Sequence, residues 1–334
     1  MGGHGTWQFG VHFAGRFALV GPSAGWSSFY SYGGSARPTG AFARSSASSD
    51  TNVYASNLAH RAVYIIHGDA DDNVPVSEGR NMRALLEPLV ADLTYHEQPG
   101  AGHWWDVSPE VPGTDCVDWA PMFTRMQAVR RDPTELEFEW RTPSPFVNDE
   151  HSYVRMMSMV SSDQDGIVTS ALDGPDGVAI TTTNVRGMVL DGAALAARGV
   201  VRATVDGAAV TLVDGPVEVG PQAGKRPDRY GPFNQAMATP WCWVYPDTGS
   251  PAYRFYAGYL ASYWAIIGNG AACALPASEV DATLRAERNL IWLGVSSADV
   301  GVSGLPFSWS RDAIMAGATT TGDAALAFVY PSGD

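Results

Sequence analysis

A chain of 334 residues, 45% apolar and only 17% charged, can bury more than one core, so two or three globular domains are expected. The formal net charge of −14 argues against a nucleic-acid or anionic-membrane partner, because phosphate backbones and acidic lipids attract concentrated Lys and Arg, and Lys225 is the only lysine. No apolar run reaches the ~18 residues that span a bilayer, and three distant cysteines, Cys116, Cys242 and Cys273, exclude a disulfide scaffold and read as small buried apolar residues.

In chain order, residues 5–15 read as a helix with Trp7, Val11 and Ala14 on one face. The short apolar runs at 17–20 and 63–66 have the texture of parallel strands covered on both faces, and 45–49 is a polar loop. Residues 77–90 read as a helix and 93–96 as a further strand. The segment 117–131 reads as a closing amphipathic helix, with Trp119, Met122, Phe123, Met126 and Val129 at helical spacing and Asp132-Pro133 ending it. From 134 to about 220 the texture changes to short β-rich runs broken by Asp-Gly turns. The clearest hairpin is 201–213, because Asp206-Gly207 can supply both positive-φ positions of a type I′ turn. Residues 220–231, rich in Gly, Pro and charge, read as a linker. Beyond it, 241–245 reads as a strand, 251–267 as a helix stopped by Gly268-Asn269-Gly270, and 271–275, 290–293 and 324–330 as strands. The expected fold class is α/β: a partial parallel sheet over residues 1–133, a β-sandwich-like domain over 134–222 and a small α/β domain over 223–334.

The residues that could carry chemistry lie in the first of these segments. His67-Gly68-Asp69-Ala70-Asp71-Asp72-Asn73-Val74-Pro75 directly follows one strand, and Gly100-Ala101-Gly102-His103-Trp104-Trp105 follows the next. An acid and a histidine on successive βα loops share the carboxyl edge of a parallel sheet, where α/β ligand sites form. A third fragment, Met1-Gly2-Gly3-His4-Gly5, opens the first helix. The carboxylates around Asp71 miss the alternating ligands and distal Glu of a calcium loop. His12, His60, His96 and His151 show no metal-ligand spacing. Without a Walker loop or a dinucleotide fingerprint, no cofactor is expected.

Over about its first 130 residues the chain resembles the prolyl-oligopeptidase-like branch of the α/β-hydrolases. That family has a Gly-x-Ser-Met-Gly-Gly elbow, then an acid in an HGxxDxxVP motif, then a histidine in a Gly-His pair. Met1-Gly2-Gly3 matches the elbow after its serine, Asp71 the acid and His103 the base, in the chain order of this fold. The resemblance implies a serine peptidase or carboxylesterase acting on a peptide or ester substrate. Asp71 would orient His103, and the backbone N–H of Met1 would belong to the oxyanion hole. Of the aromatic residues on these loops, Trp104, Trp105 and Trp26 read equally as lining of the substrate site or as packing.

The elbow serine would be the residue ahead of Met1, so hydrolysis by residues 1–334 alone is not expected, and the chain reads as a fragment of a longer hydrolase. Ser23 and Ser27 are the alternatives if the nucleophile lies within it. The start does not read as a signal peptide, lacking a basic region followed by an apolar one, although sequence upstream could carry an export signal. The competing reading is a non-catalytic protein that binds a glycan or peptide polymer through its β-rich domain.

Overall fold

The first helix begins and ends earlier than its apolar spacing suggests: α1 spans Gly2–His12, and a 3-10 turn, Ala14–Arg16, follows. In this computed structural model, which describes residues 2–222, 224–229, 233–301, 305, 307–310, 312–317 and 319–322, the chain divides into two compact units, Met1–Asp228 and Arg229–Asp334. It is a mixed α/β structure with several separate sheets.

In the first unit, β1 (Leu19–Val20) leads through the short helices α2 (Phe29–Gly33) and α3 (Ala41–Ser46) to β2 (Ala62–Gly68). Next come α4 (Ser77–Leu86) and β3 (Asp92–Gln98). The three strands pair in parallel in the order β1-β2-β3. All seven residues of β2 are buried because it is the central strand and has a layer on each face. Side chains of a strand alternate between faces. Val63 and Ile65 accordingly pack with Trp7 and Val11 of α1, Tyr54, Leu58, and Met82 and Leu86 of α4. Tyr64 and Ile66 pack on the other face with Met122. The single closing helix expected at 117–131 is instead two pieces, α5 (Asp115–Asp118) and α6 (Ala120–Ala128). Trp119 between them is non-helical, with ψ 109°, and Pro121 occupies the first turn of α6, where a residue without an N–H is tolerated but could not continue a helix from α5.

Residues 138–219 form two β-sheets. One contains β4 (Phe138–Thr142), β7 (Gly166–Leu172), β8 (Gly177–Thr183), β10 (Arg202–Val205) and β11 (Ala208–Val210). The other contains β5 (Glu150–His151), β6 (Val154–Met159), β9 (Val185–Asp191) and β12 (Pro216–Val219). Their orders are β11-β10-β8-β7-β4 and β12-β9-β6-β5. All neighbours are antiparallel except β8 and β10, whose connection runs through β9 of the other sheet and then α7 (Gly192–Ala197). The inner faces meet closely: a Cβ at Gly166 on β7 would stand 2.6 Å from the sulfur of Met156 on β6. The Asp-Gly hairpin forms as expected, with Asp206 at φ 49° and Gly207 at φ 81°.

Buried polar groups tie these sheets to the α/β layers within the same unit. Asn57 donates to the carbonyls of Val11 and Arg141, each at 2.8 Å, and accepts from the Arg141 N–H. Buried Arg61 donates from Nε to the Ala14 carbonyl at 2.6 Å and pairs both terminal nitrogens with Glu135, which also accepts from His151 at 3.3 Å. Burial pushes the Glu135 carboxyl up, but hydrogen bonds from His151 and Arg61 and the Arg61 charge outweigh it and hold the group at about 2.

The second unit carries β13 (Trp241–Tyr245), α8 (Ala252–Ile267), β14 (Cys273–Pro276), α9 (Ala282–Glu287) and β15 (Asn289–Trp292). The strands form a parallel sheet in the order β14-β13-β15. Ala257 of α8 is buried with Trp241, Trp243 and Ile291, and Leu260, Ala261 and Trp264 pack against them. An antiparallel sheet of β16 (Phe307–Trp309), β17 (Ile314–Ala316) and β18 (Thr319–Thr321) follows. The strand expected at 324–330 lies outside the described residues.

Cys242 and Cys273 are not two separate thiols but a disulfide, with Cα atoms 4.7 Å apart. Their separation of 31 residues is spanned by α8, which returns the chain to the neighbouring strand in a register that sets the two cysteines side by side. Cys116 alone is free, and it is buried. Thiol titration in denaturant should therefore find one reactive group without reductant and three after reduction; three without reductant would show the bond to be absent.

The Glu135 network predicts a defined acid response. The folded carboxyl sits at about 2 against 4.5 for the free group. A depressed carboxyl contributes stability above the unfolded value and loses it as pH falls through the folded one. At 1.36 kcal/mol per unit this amounts to about 3 kcal/mol between roughly pH 5 and pH 2. Burial lowers the His151 imidazole from 6.5, so protonation of the unfolded chain below that value acts in the same direction. Urea unfolding should show wild type losing about 3 kcal/mol more than Glu135→Gln over that acid window, and parallel curves would contradict the assignment.

Candidate functional site

The site is built where the loops after β2 and β3 meet. Gly68 ends β2, and a Cβ there would stand 2.4 Å from the carbonyl oxygens of both Ala101 and Gly102, so only glycine lets the second loop lie against the first. Backbone hydrogen bonds close the approach: Asp69 N–H donates to the Gln98 carbonyl at 3.0 Å and Ala70 N–H to the Ala101 carbonyl at 2.9 Å. Gly100, at φ 69°, turns the chain and donates its N–H to the Asp69 carboxylate at 2.5 Å.

This approach brings Asp71 and His103 together. Asp71 Oδ2 lies 2.8 Å from His103 Nδ1, and its Oδ1 accepts the backbone N–H groups of Asn73 and Val74, each at 2.8 Å. The Asp71 side chain has no exposed area, whereas that of His103 remains partly open. A carboxylate only accepts, so the proton of a neutral His103 sits on Nδ1 and leaves Nε2 with its lone pair. Among the described residues, Nε2 of His103 has no hydrogen-bond partner. Such an arrangement can take a proton at Nε2 and stabilise the resulting cation through the buried carboxylate.

The aromatic candidates divide. Trp104 is 73% exposed and stands edge-on to the His103 ring at 5.7 Å. Trp105 is buried with Cys116 and Trp119 and belongs to the packing. Trp26 is 8% exposed, its faces stacked by His4 at 4.8 Å and Tyr32 at 4.7 Å. Its ring is therefore covered, and the open aromatic surface on that side is Tyr32 and Phe29, at 40% and 53% exposure, which the sequence reading did not single out. The Tyr32 hydroxyl reaches the Asn73 side-chain carbonyl at 3.4 Å, so this wall adjoins the acid loop.

The start of α1 meets the loop after β1 at van der Waals contact, since Cβ atoms at Gly3 or Gly25 would overlap the other's backbone. His4, on α1, hydrogen-bonds the Trp26 carbonyl through Nδ1 at 2.9 Å. Met1 lies outside the described residues. Neither alternative serine bonds to His103: Ser23 donates to the Cys116 carbonyl and Ser27 to the buried carboxylate of Glu78 at 3.1 Å. A cleft of about 660 Å³ opens at the opposite, amino-terminal end of β2 and β3. Six of its charged groups are paired, Arg61 with Glu135, Arg125 with Asp92 and Arg198 with Asp132, and it contains neither Asp71 nor His103. Among the described residues, no group of His, Cys, Asp and Glu is arranged to hold a metal ion, and no helix is long and apolar enough to cross a membrane.

No protein-family model matches the chain. An uncharacterized secreted protein of Arthroderma benhamiae is 30% identical over 142 residues, covering 40% of this chain, and this chain spans only about 15% of that protein's length. Among solved structures, a truncated carbohydrate esterase from gut microbiota is 20% identical, with a TM-score of 0.22, covering 33% of this chain and 43% of that one. A PHB depolymerase complexed with an R3HB trimer is 16% identical, with a TM-score of 0.28, covering 51% and 60%. Superpositions at these values fix neither fold nor function.

The close approach at Gly68 gives a direct test. Gly68→Ala places a methyl group against two backbone carbonyls that cannot rotate away, so it should destabilise the first unit by about 2 kcal/mol or more. It should also abolish the Asp71–His103 contact as read from the His103 imidazole resonances. An alanine variant with unchanged stability and unchanged resonances would remove this glycine from the site's construction.

Proposed function

We propose that this chain carries the acid and base of a serine hydrolase and that residues 1–133 are the carboxyl-terminal part of an α/β-hydrolase domain. The single observation behind the reading is the Asp71–His103 hydrogen bond of 2.8 Å at the carboxyl edge of parallel strands. His103 Nε2 accepts the proton of a serine hydroxyl as it attacks an ester or amide carbonyl, then returns that proton to the leaving group. Asp71, buried and held by three donors, keeps the imidazole in the productive tautomer and stabilises its cation. The nucleophile is the elbow serine of the resemblance, one residue ahead of Met1. The Met1 N–H is the oxyanion donor, as expected of the residue that follows the nucleophile in this fold. Trp104 and Tyr32 flank the acid–base pair and contact the substrate from opposite loops, with Trp26 supporting Tyr32 from behind.

Residues 1–334 alone should neither hydrolyse activated esters nor react with a fluorophosphonate, whereas a chain extended upstream through Gly-x-Ser and the preceding strands should label at that serine. In the extended chain, His103→Ala should lower turnover by roughly 10⁵ to 10⁶ with the fold intact, because members of a triad act as a unit. Stoichiometric labelling of the short chain at Ser23 or Ser27 would move the nucleophile inside it. An extended chain that binds a glycan or peptide polymer but never labels would instead make the β-rich sheets the functional part.

A further inference from the structure

His67 is enclosed at the end of β2 and takes no part in the reaction above, yet it touches the group on which that reaction depends. Its side chain has no exposed area. Nε2 lies 2.9 Å from the Val74 carbonyl oxygen and 3.4 Å from Asp71 Oδ2. Nδ1 is buried with no hydrogen-bond partner among the described residues. A carbonyl and a carboxylate both only accept, so the ring's proton belongs on Nε2. The bare Nδ1 faces Gly79 of α4, where a Cβ would stand 2.8 Å away. A second proton there would have no acceptor among the described residues. Glu97, opposite His67 on β3, is engaged by Arg80 at 3.0 Å and by the Tyr95 hydroxyl at 2.6 Å, so it does not draw that proton.

We propose that His67 is a positioning residue for Asp71: an imidazole whose Nε2–H, donated to the Val74 carbonyl and set against Asp71 Oδ2, fixes the plane of the carboxylate that holds His103. The inference rests on reading Asp71 and His103 as the acid–base pair. Oδ1 is held by two backbone donors, and His67 Nε2 stands 3.4 Å from Oδ2, so both oxygens meet a group that resists rotation about the carboxylate bond. Without His67, Oδ2 is tied only to the ring it is meant to orient. The same donor fastens the carbonyl of Val74, whose N–H caps Oδ1, so the loop and the carboxylate are fixed together.

The tautomer of His103 reports this directly, because the nitrogen that carries the proton is set by the partner of the other. The experiment is nitrogen-15 NMR of histidine-labelled residues 1–334, at a pH where the imidazoles are neutral, on wild type, His67→Gln, His67→Leu and Asp71→Asn. Wild type should show His103 protonated at Nδ1 and His67 at Nε2. His67→Gln, whose amide can donate from the same place, should keep the His103 tautomer. His67→Leu should raise the Nε2–H to Nδ1–H ratio of His103 about tenfold, the equivalent of one lost hydrogen bond. A folded His67→Leu with the wild-type ratio would overturn the inference, as would a wild-type His67 protonated at Nδ1. The latter reading decides the matter even if the leucine variant fails to fold. Asp71→Asn separates the two claims: an unchanged His103 tautomer there would defeat the acid–base pair itself, whereas a change there but none in His67→Leu would defeat only the role of His67.

Discussion

The site depends on one contact between backbones. Gly68 offers no Cβ to the carbonyls of Ala101 and Gly102, and the loop after β3 therefore lies directly on the loop after β2. Everything chemical follows from that distance. Asp71 is three residues beyond Gly68, and His103 is the residue after Gly102, so two loops held in contact at their bases place a carboxylate and an imidazole within hydrogen-bond reach. Parallel pairing of β2 and β3 over seven residues aligns the strand ends, and the apolar layers on both faces of β2 hold the strands in that register.

The same logic governs the polar groups. In a buried site each carboxylate oxygen needs donors, and a half-satisfied network is worse than an apolar one. Asp71 meets this with two backbone N–H groups from its own loop and one imidazole, and Glu135, which meets Arg61 just ahead of β2, does so with a guanidinium and an imidazole. The two networks serve different ends. The Glu135 cluster is closed on itself and joins the α/β layers to the β-sheets, while the Asp71 pair remains open at His103. Trp104 stands edge-on to that ring, and Tyr32 meets the acid loop at Asn73.

Much of this was legible in the sequence because it is written locally. The apolar run at 63–66 marks a covered parallel strand and sits inside the fully buried β2, and the strand read at 93–96 sits inside β3. The Asp-Gly turn at 206–207 carries its conformation in its composition. What was not legible depends on contacts between distant segments. The pairing of Cys242 with Cys273 follows from strand register, which spacing along the chain does not reveal. The break between α5 and α6 outweighed an unbroken apolar stripe because Pro121 lacks the N–H that continuity requires. Trp26 looked like a pocket residue, but stacking by His4 and Tyr32 covers it, and that follows from the close approach of Gly3 to Gly25. His67 gave a signal as the first residue of its motif, although nothing in the motif says which atom it touches.

Neutron diffraction from crystals of residues 1–334 grown at a mildly basic pH tests the central claim most directly, because it locates the proton between the two side chains. The account predicts a deuteron on Nδ1 of His103 directed at Asp71 Oδ2, at a heavy-atom separation near 2.8 Å, with Nε2 bare. A deuteron on Nε2 with Nδ1 unprotonated, or a His103 ring turned away from Asp71, would contradict it.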